Sequence, residues 1–428
     1  MSHATHLPDI DSAARLAAHA FARVDERESL FGNTRSAWRT ATRAQLGLPL
    51  DVPIIVTGHQ AGLWHAGIAE KFSYGARLAR RLGGVLVHIV IDHDLNDASE
   101  IAFPATMAGK LVRLHLVRTP RGRGVNALRR PIRVRIPEEA QDGTATVIPT
   151  VAEALSRIES AIHDHASQPN LALQMAHAAN ALLPMNVRPN FTIPATAIAR
   201  SPFASAMRAH FDAHARACYN FALGDARVRR LRGDELPFWS LIDETASREP
   251  LSVGASDALA APRALSLTAI VRLVLCDFFV HGTGGAVYEE ATDRWLDAWL
   301  GARLLRAPIG IATATRTIPL LASIDANATP RATAADLRRI TSDPFGASLS
   351  TEKQAMLAEI AAIPRDQKQA RRDAYTRMHR AMDAERLHHA PRIAEMQSQM
   401  NLHLERAKEL ALIHDRTWPF PFTLPATP

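Results

Sequence analysis

The sequence predicts an α/β protein with a parallel-sheet core, and three observations carry that expectation. Residues 53–57 form a short apolar run rich in β-branched side chains, which reads as a buried strand. Residues 85–91 repeat that character. Between them, Phe72, Leu78 and Leu82 face one way and Lys71, Arg77, Arg80 and Arg81 the other, and Gly83-Gly84 closes the segment as glycines close helices. A strand–helix–strand unit favours parallel pairing through a right-handed crossover.

The remaining elements extend this core. Residues 1–50 read as helices, with Ser12 capping one that carries Ala13, Leu16, Ala17, Ala20 and Phe21. Residues 51–350 read as the core. Within it, residues 111–118 and 132–136 alternate like strands, and residues 150–166 and 171–183 form a helical insertion around 150–185. Residues 191–198 read as a further strand. Ser201-Pro202 then gives a cap and a first helical position for a helix running to about Phe221. Residues 264–280 read as one apolar helix, in which Arg272 and Asp277 need partners or point towards a site. A helix over 286–300 carries Tyr288, Trp295 and Trp299, and residues 308–314 and 317–322 return to strand patterns. Residues 351–428 read as a charged helical arm with a docking tail. Pro391 splits residues 365–388 from 391–414, which predicts a helical hairpin. Leu402, Leu404, Leu410 and Leu412 are too sparse for a strict heptad seam. The aromatic, proline-rich residues 418–422 are expected to dock on the core.

A length of 428 residues allows two or three domains or one large core with insertions. No run approaches the ~20 consecutive apolar residues of a membrane span, and the N-terminal residues lack the apolar stretch of a signal peptide. A cytoplasmic protein without a membrane partner is the resulting expectation. Cys218 and Cys276 both fall in helical patterns and read as small buried hydrophobes. The net charge of +7 is accompanied by acids spread along the chain, which argues against a nucleic-acid partner. The densest basic stretch, Arg121, Arg123, Arg129, Arg130, Arg133 and Arg135, has no interleaved aromatics for base stacking. It reads as a solvated loop and edge strand, or as an arginine wall steering a small anionic substrate.

Function is expected beyond the carboxyl ends of the strands, where open parallel sheets bind ligands. His59, Gln60 and His65 follow the first strand; Asp92, His93, Asp94, Asn96, Asp97 and Glu100 follow the second. A helix N-terminus near Gly67 would suit an anion, to which His59 and His65 can donate and which Lys71 can reach one turn later. Three roles are open to the acid–His–acid cluster. Its carboxylates and imidazole suit a divalent metal. His93 can act as a general base oriented by Asp92 or Asp94. The acids can also simply cap a helix. The turn His281-Gly282-Thr283-Gly284-Gly285 either brings backbone N–H groups close to a ligand or makes a tight turn between packed helices. His210 and His214 have the i,i+4 spacing of metal ligands, but they lack the accompanying glutamate and also fit a solvated helix face.

Residues 56–63, Val-Thr-Gly-His-Gln-Ala-Gly-Leu, resemble the V-T-G-Q-Q-A-G-L opening of the bacillithiol synthases, which add cysteine to glucosaminyl-malate. Asp92-His93-Asp94 matches that family's D-H-D triplet, with Asp97 where the family usually has Glu. Gly282, Gly284 and Tyr288 match its G-P-G-E-x-x-Y pattern. The departures are His59 for the first Gln, Thr283 for Pro and Gly285 for Glu. The resemblance implies a Rossmann-like, nucleotidyltransferase-related core with helical insertions and a coiled-coil arm that makes homodimers. Taken with the residues' own chemistry, it points to catalysis by His59, Asp92, His93, Asp94 and Asp97. Ligand binding would fall to Thr57, Gly58, Gln60, Gly62, His65, Lys71, His281, Gly282, Gly284, Gly285 and Tyr288. The implied reaction joins an amino acid or similar nucleophile to a small anionic sugar- or nucleotide-like acceptor. No cofactor is compelled; a nucleotide or a divalent metal would suit the site. Two other readings stand beside it. Residues 58–65, G-H-Q-x-x-L-W-H, resemble the His/Gly signature of adenylate-forming enzymes, although no K-M-S-K-S-like loop accompanies them. A non-catalytic binding or scaffold protein would also tolerate the acid missing at Gly285.

Overall fold

The chain enters its main sheet at once. In the computed structural model, which describes residues 3–23, 29–116, 124–133, 145–224, 226, 228–255, 259–301, 304–318 and 350–423, His3–Leu7 forms strand β1. Helix α1 (Ile10–Ala22) follows, capped by Asp9, whose carboxylate accepts from the backbone N–H groups of Asp11 and Ser12, each at 3.0 Å. Ser12 therefore lies inside the helix, because the acid before it already satisfies the free N–H groups. A short hairpin, β2 (Ser29–Leu30) and β3 (Asn33–Thr34), leads to α2 (Arg35–Gln45). Then β4 (Ile54–Gln60), α3 (Ala66–Arg81) and β5 (Val85–Ile91) make the expected strand–helix–strand unit, with parallel register from Ile54↔Val85 to Gln60↔Ile91. Strand β4 continues past Thr57, so His59 and Gln60 end a strand instead of lying in a turn.

Several later elements differ from expectation. Strands β6 (Ile101–Met107) and β7 (Lys110–Leu116) form a hairpin whose turn residues Ala108 and Gly109 have φ of 49° and 75°, and β8 (Ala145–Val147) joins β6. Residues 131–133 are irregular; the rest of the strand expected at 132–136, with Arg121, Arg123 and Arg135, lies outside the described residues. Most of the strand expected at 317–322 also lies outside them. Helices α4 (Pro149–Asp164) and α5 (Leu171–Leu182) form the insertion. Strand β9 (Phe191–Pro194) is shorter than expected and turns into α6 (Ala195–Ala199). Ser201 caps α7 (Pro202–Ala209), but that helix stops at His210, and Asp212 caps a new one, α8 (Ala213–Ala222), by accepting from Ala215 N–H at 2.8 Å. His210 and His214 thus lie on different segments, and the metal-ligand spacing is lost.

A second antiparallel sheet was not legible: β10 (Glu235–Ile242), β11 (Ser247–Ser252) and β12 (Ala260–Pro262), in the order β11-β10-β12. The single helix expected over 264–280 is α9 (Ala264–Ile270) with one π-turn, Val271–Leu275, and then strand β13 (Phe278–His281). Helix α10 (Ala286–Leu300) and strand β14 (Ile309–Thr315) follow. The main sheet has the order β1-β14-β13-β4-β5-β9, and all its pairs are parallel except the edge pair β1–β14. From β4 the chain builds outward through β5 and β9, then crosses to the other side of β4 to lay down β13 and β14. The β4–β13 boundary is therefore where the strand order reverses. Alternate strand residues feed two cores. Ile54, Val56, Ile89 and Phe279 pack with α7–α10, whereas Ile55, Leu86, Phe278 and Val280 pack with α1 and α3.

The described residues divide into two compact units, Met1–Leu320 with Asp415–Pro428, and Leu321–His414. In the first, the C-terminal segment docks on the β4–α3 loop: Phe420 N–H donates to Trp64 O at 2.6 Å, and the Arg113 guanidinium lies 4.3 Å from the Trp418 ring centroid. In the second, α11 (Ser350–Ala362) packs on α12 (Lys368–His388) through Ile360, Ala374, Met378 and Met382. The packed pair is thus earlier in sequence than the hairpin expected about Pro391. Pro391 lies in the first turn of α13 (Ala390–Ile413), where its missing N–H costs nothing, and α13 buries only Ile413. Among the described residues no helix is long and apolar enough to cross a membrane.

Arg35, Arg39 and Arg43 recur every four residues along α2 and all turn into the interior. Arg39 and Arg43 pair with the fully buried Asp277 just before β13, the latter at 2.9 Å. Asp277 also accepts from Ile54 N–H, at 2.8 Å, and its own N–H donates to Ile54 O at 2.8 Å. Removing one partner of a buried pair leaves uncompensated charge, a loss of roughly 3–5 kcal/mol. Asp277→Ala is therefore expected to lose stability on that scale in urea titration. A loss within about 0.5 kcal/mol, as for an ordinary surface change, would show that the cluster does not hold β4 to β13.

Candidate functional site

A cavity of about 430 Å³ opens over the point where the strand order reverses. Its floor comes from the carboxyl ends of β4, β5 and β13: Gly58, His59 and Gln60, then His93 and Asp94, then His281. Tyr288, in the first turn of α10, closes one side. The roof belongs to the sheet that the sequence did not reveal, with Trp239 on β10, Arg248 on β11 and Arg263 just before α9. Arg229 and Thr268 complete the polar lining, and Ile89, Val228, Leu267 and Phe279 supply apolar walls. A concave, mostly apolar site with a few convergent polar groups is the common form of a small-molecule pocket.

The polar groups are held in place rather than loose. Asp94 accepts from Gln60 Nε2 and pairs with Arg248 at 3.4 Å. Arg248 also donates to His93 O at 2.7 Å, which ties the roof to the floor. Its burial lowers the pKa of Arg248, and the Asp94 carboxylate opposes that effect. The guanidinium carbons of Arg263 and Arg248 lie 4.2 and 4.9 Å from the Trp239 ring centroid. Glu235 accepts from Arg229 at 2.9 Å and from Arg263 at 3.1 Å, through different oxygens. His59 is pushed down to about 3, first by burial and then by the charge of Lys71, so it is a neutral imidazole near pH 7. Three arginines line the cavity against two acids, Asp94 and the Glu235 shared by Arg229 and Arg263, so the lining keeps a positive excess that favours an anion.

Other expected residues take structural parts. Asp92 is buried and spends both oxygens on Thr196, accepting from its N–H at 3.1 Å and its hydroxyl at 2.5 Å. Asp97 accepts from Ser99 Oγ at 2.6 Å and pairs with Arg129 at 3.4 Å, so Arg129 braces this loop instead of lining the cavity. Thr57 Oγ1 donates to Val280 O at 3.1 Å, across the strand pair. Gly62 has φ of 137°, and a side chain there would face Ala98 O at 3.6 Å. His65 caps α3, its Nδ1 accepting from Gly67 N–H at 3.1 Å. A Cβ at Gly67 would meet Thr313 Oγ1 at 2.9 Å, so this helix end packs closely on β14. Lys71 is buried and donates to Gly58 O at 2.5 Å, behind the cavity floor. Gly282 and Gly284 do not line the cavity, and Gly285 makes room for the His281 ring.

The acid–His–acid cluster does not converge. Asp92 turns inward to Thr196, Asp94 turns to Gln60 and Arg248, and His93 Nδ1 lies 3.7 Å from Asp92. Among the described residues no group of three or more His, Cys, Asp or Glu side chains could hold a metal ion. Missed from the sequence were Arg229, Trp239, Arg248, Arg263 and Thr268, together with Glu289, which lies 2.5 Å from His281 Nε2. The run Phe238-Trp239-Ser240-Leu241-Ile242 carried an aromatic strand signal, but nothing in it indicated the cavity.

Burial alone pushes Lys71 down to about 7 from 10.5. Unfolded, it binds a proton between those values that the folded protein does not, so stability rises with pH there. The slope from this residue is on the order of 1.4 kcal/mol for each pH unit. Lys71→Met is expected to flatten the pH dependence of urea midpoints between pH 7 and 9; an equal slope in both proteins would contradict a neutralised lysine. No model of a known protein family matches this chain, and no curated protein does.

Proposed function

We propose that this protein is an enzyme joining an amino acid, such as cysteine, or a similar nucleophile to a small anionic sugar- or nucleotide-like acceptor. One observation carries the reading: loops after β4, β5 and β13 converge on a single cavity under an arginine-bearing roof, at the reversal of strand order. Arg229 and Arg248 suit the acceptor's phosphate or carboxylate through charge-assisted hydrogen bonds. Asp94, already beside Gln60, suits the ammonium of an amino acid. Neutral His59 can donate to or accept from either substrate. The resemblance at residues 56–63 and 92–97 to bacillithiol synthases supports the same chemistry on a nucleotidyltransferase-related, Rossmann-like core.

Isothermal titration with nucleotides, sugar phosphates, a sugar–malate conjugate and free amino acids tests this directly. At least one anionic compound is expected to bind, and Arg229→Ala and His59→Ala are each expected to weaken it roughly tenfold to a hundredfold, the scale of a lost charged hydrogen bond. Failure of every compound, or unchanged affinity in both variants, would overturn the reading. We also propose a homodimer made through coiled-coil pairing of the charged arm, whose Leu387, Leu402 and Leu404 are exposed. Light scattering at micromolar concentration is expected to give twice the chain mass, and a monomer would refute it.

A further inference from the structure

We infer that His281 is the general base of this site and that Glu289 is the positioning residue that sets its tautomer; the catalytic half of this inference rests on the function proposed above. His281 ends β13, beside β4, and lines the cavity. Its Nε2 is shut off from solvent and lies 2.5 Å from Oε1 of Glu289, which is 1% exposed; the two make a close ionic contact rather than an aligned hydrogen bond. The other Glu289 oxygen accepts from Arg272 Nη1 at 2.8 Å. Arg272 in turn is fixed by Asp293 at 2.8 Å and by donation to Ala307 O at 3.0 Å. A row of Arg, Glu and His thus runs from the interior to the cavity wall.

The ring is fixed on its other sides as well. Phe279 packs edge-on to it, with centroids 4.2 Å apart. A Cβ on Gly285 would fall 2.2 Å from His281 Nδ1, so any other residue at 285 would move the ring. The glycine that stands where the related pattern has a glutamate is therefore a condition of this arrangement. The acid absent there is supplied one turn later, by Glu289.

The other two cavity imidazoles are less suited to the role. His59 is held to about 3 by burial and Lys71, which makes it a weak base. His93 has its Nδ1 3.7 Å from Asp92, whose oxygens are both committed to Thr196. The Glu289 carboxylate beside Nε2 of His281 favours the proton on that nitrogen, which leaves the Nδ1 lone pair as the basic site. Nδ1 takes the proton of the nucleophile's amine or thiol while the nucleophile's electron pair forms the new bond to the acceptor carbon. The bond from that carbon to an anionic oxygen leaving group breaks, the oxygen keeping the pair, and the imidazolium returns the proton to it. No electron or proton is left over.

The test begins without substrate. Nitrogen-15 NMR of full-length, histidine-labelled protein at pH 7, assigned against His281→Asn, is expected to show His281 as the Nε2–H tautomer. In Glu289→Gln and in Gly285→Ala that signature is expected to be lost or split. An Nδ1–H tautomer in the unmodified protein, or an unaltered one in both variants, would overturn the inference. Once titration has supplied a substrate, Glu289→Gln and His281→Ala should each lower kcat by about 10²–10⁴ with little change in KM, and the double variant should lose no more than the worse single one. A change confined to KM would also overturn it. A correct tautomer with no ligand found in the titration panel would sink the proposed function and leave the His281–Glu289 pairing standing.

Discussion

Asp277 is the constraint on which the rest of the structure depends. A buried carboxylate is costly unless charges and hydrogen bonds compensate it, and here all its compensation comes from elements that must be brought together. Arg39 and Arg43 arrive on α2, and Ile54 contributes its N–H from the start of β4. Arg43 also donates to Leu275 O at 2.9 Å, and Arg35 to Leu273 O at 2.8 Å, so the same helix caps the end of the π-turn. The node sits where β13 begins beside β4 and fixes their register. That register places Thr57 opposite Val280, and His281 then emerges next to Gly58 at the other end of the pair. The geometry of the cavity floor thus rests on an ionic cluster at the opposite edge of the sheet.

From that register the site follows by topology. Strands β5 and β9 extend one side of β4, and β13 and β14 extend the other, so the loops leaving β4 and β13 diverge and open a crevice. The small antiparallel sheet closes over it. Arg248 crosses between the two layers, bonding to His93 O below while its guanidinium lies over the Trp239 ring above. The loop after β5 is stiffened by Asn126, whose side-chain amide donates to Asp94 O at 3.1 Å and Asn96 O at 2.9 Å. Such second-tier bonds decide which acids face the cavity and which do not.

The sequence made some of this legible and hid the rest for identifiable reasons. The β4–α3–β5 unit showed because Gly, Pro and a polar stretch bracket its two apolar runs. Strand β13 was hidden because residues 265–280 contain neither Gly nor Pro, and a strand buried on both faces has no alternation. Its boundary with the helix is set by Asp277, a tertiary interaction. Strand β1, His-Ala-Thr-His-Leu, was hidden by the polarity of an edge position. At the site, Gly58, His59, Gln60, His93 and Asp94, indicated by position after the first two strands, line the cavity, as do His281 and Tyr288, which the Gly-rich turn and the related pattern had indicated. It misjudged Asp92 and Asp97 because side-chain direction depends on Thr196 and Arg129, which are remote in sequence. The cavity's arginines escaped notice because Arg229, Arg248 and Arg263 are spread over separate segments, whereas the conspicuous run around Arg129 braces a loop.

The charges that never touch a ligand matter as much as those that line the cavity. Lys71 and Arg272 are both buried beneath the floor, one bonded to Gly58 O and the other to Glu289. In surroundings of low polarity their fields are screened far less than that of an exposed arginine. The two differ in kind. Arg272 is matched by Glu289 and Asp293, so its charge is spent locally on holding the carboxylate against His281. Lys71 has burial as its only influence and is pushed down to about 7, so near pH 7 it exchanges between its charged and neutral forms. An anion above Gly58 favours the protonated amine, and the protonated amine favours the anion. The floor therefore rests on a buried amine bonded to Gly58 O on one side and on an arginine matched by two carboxylates on the other.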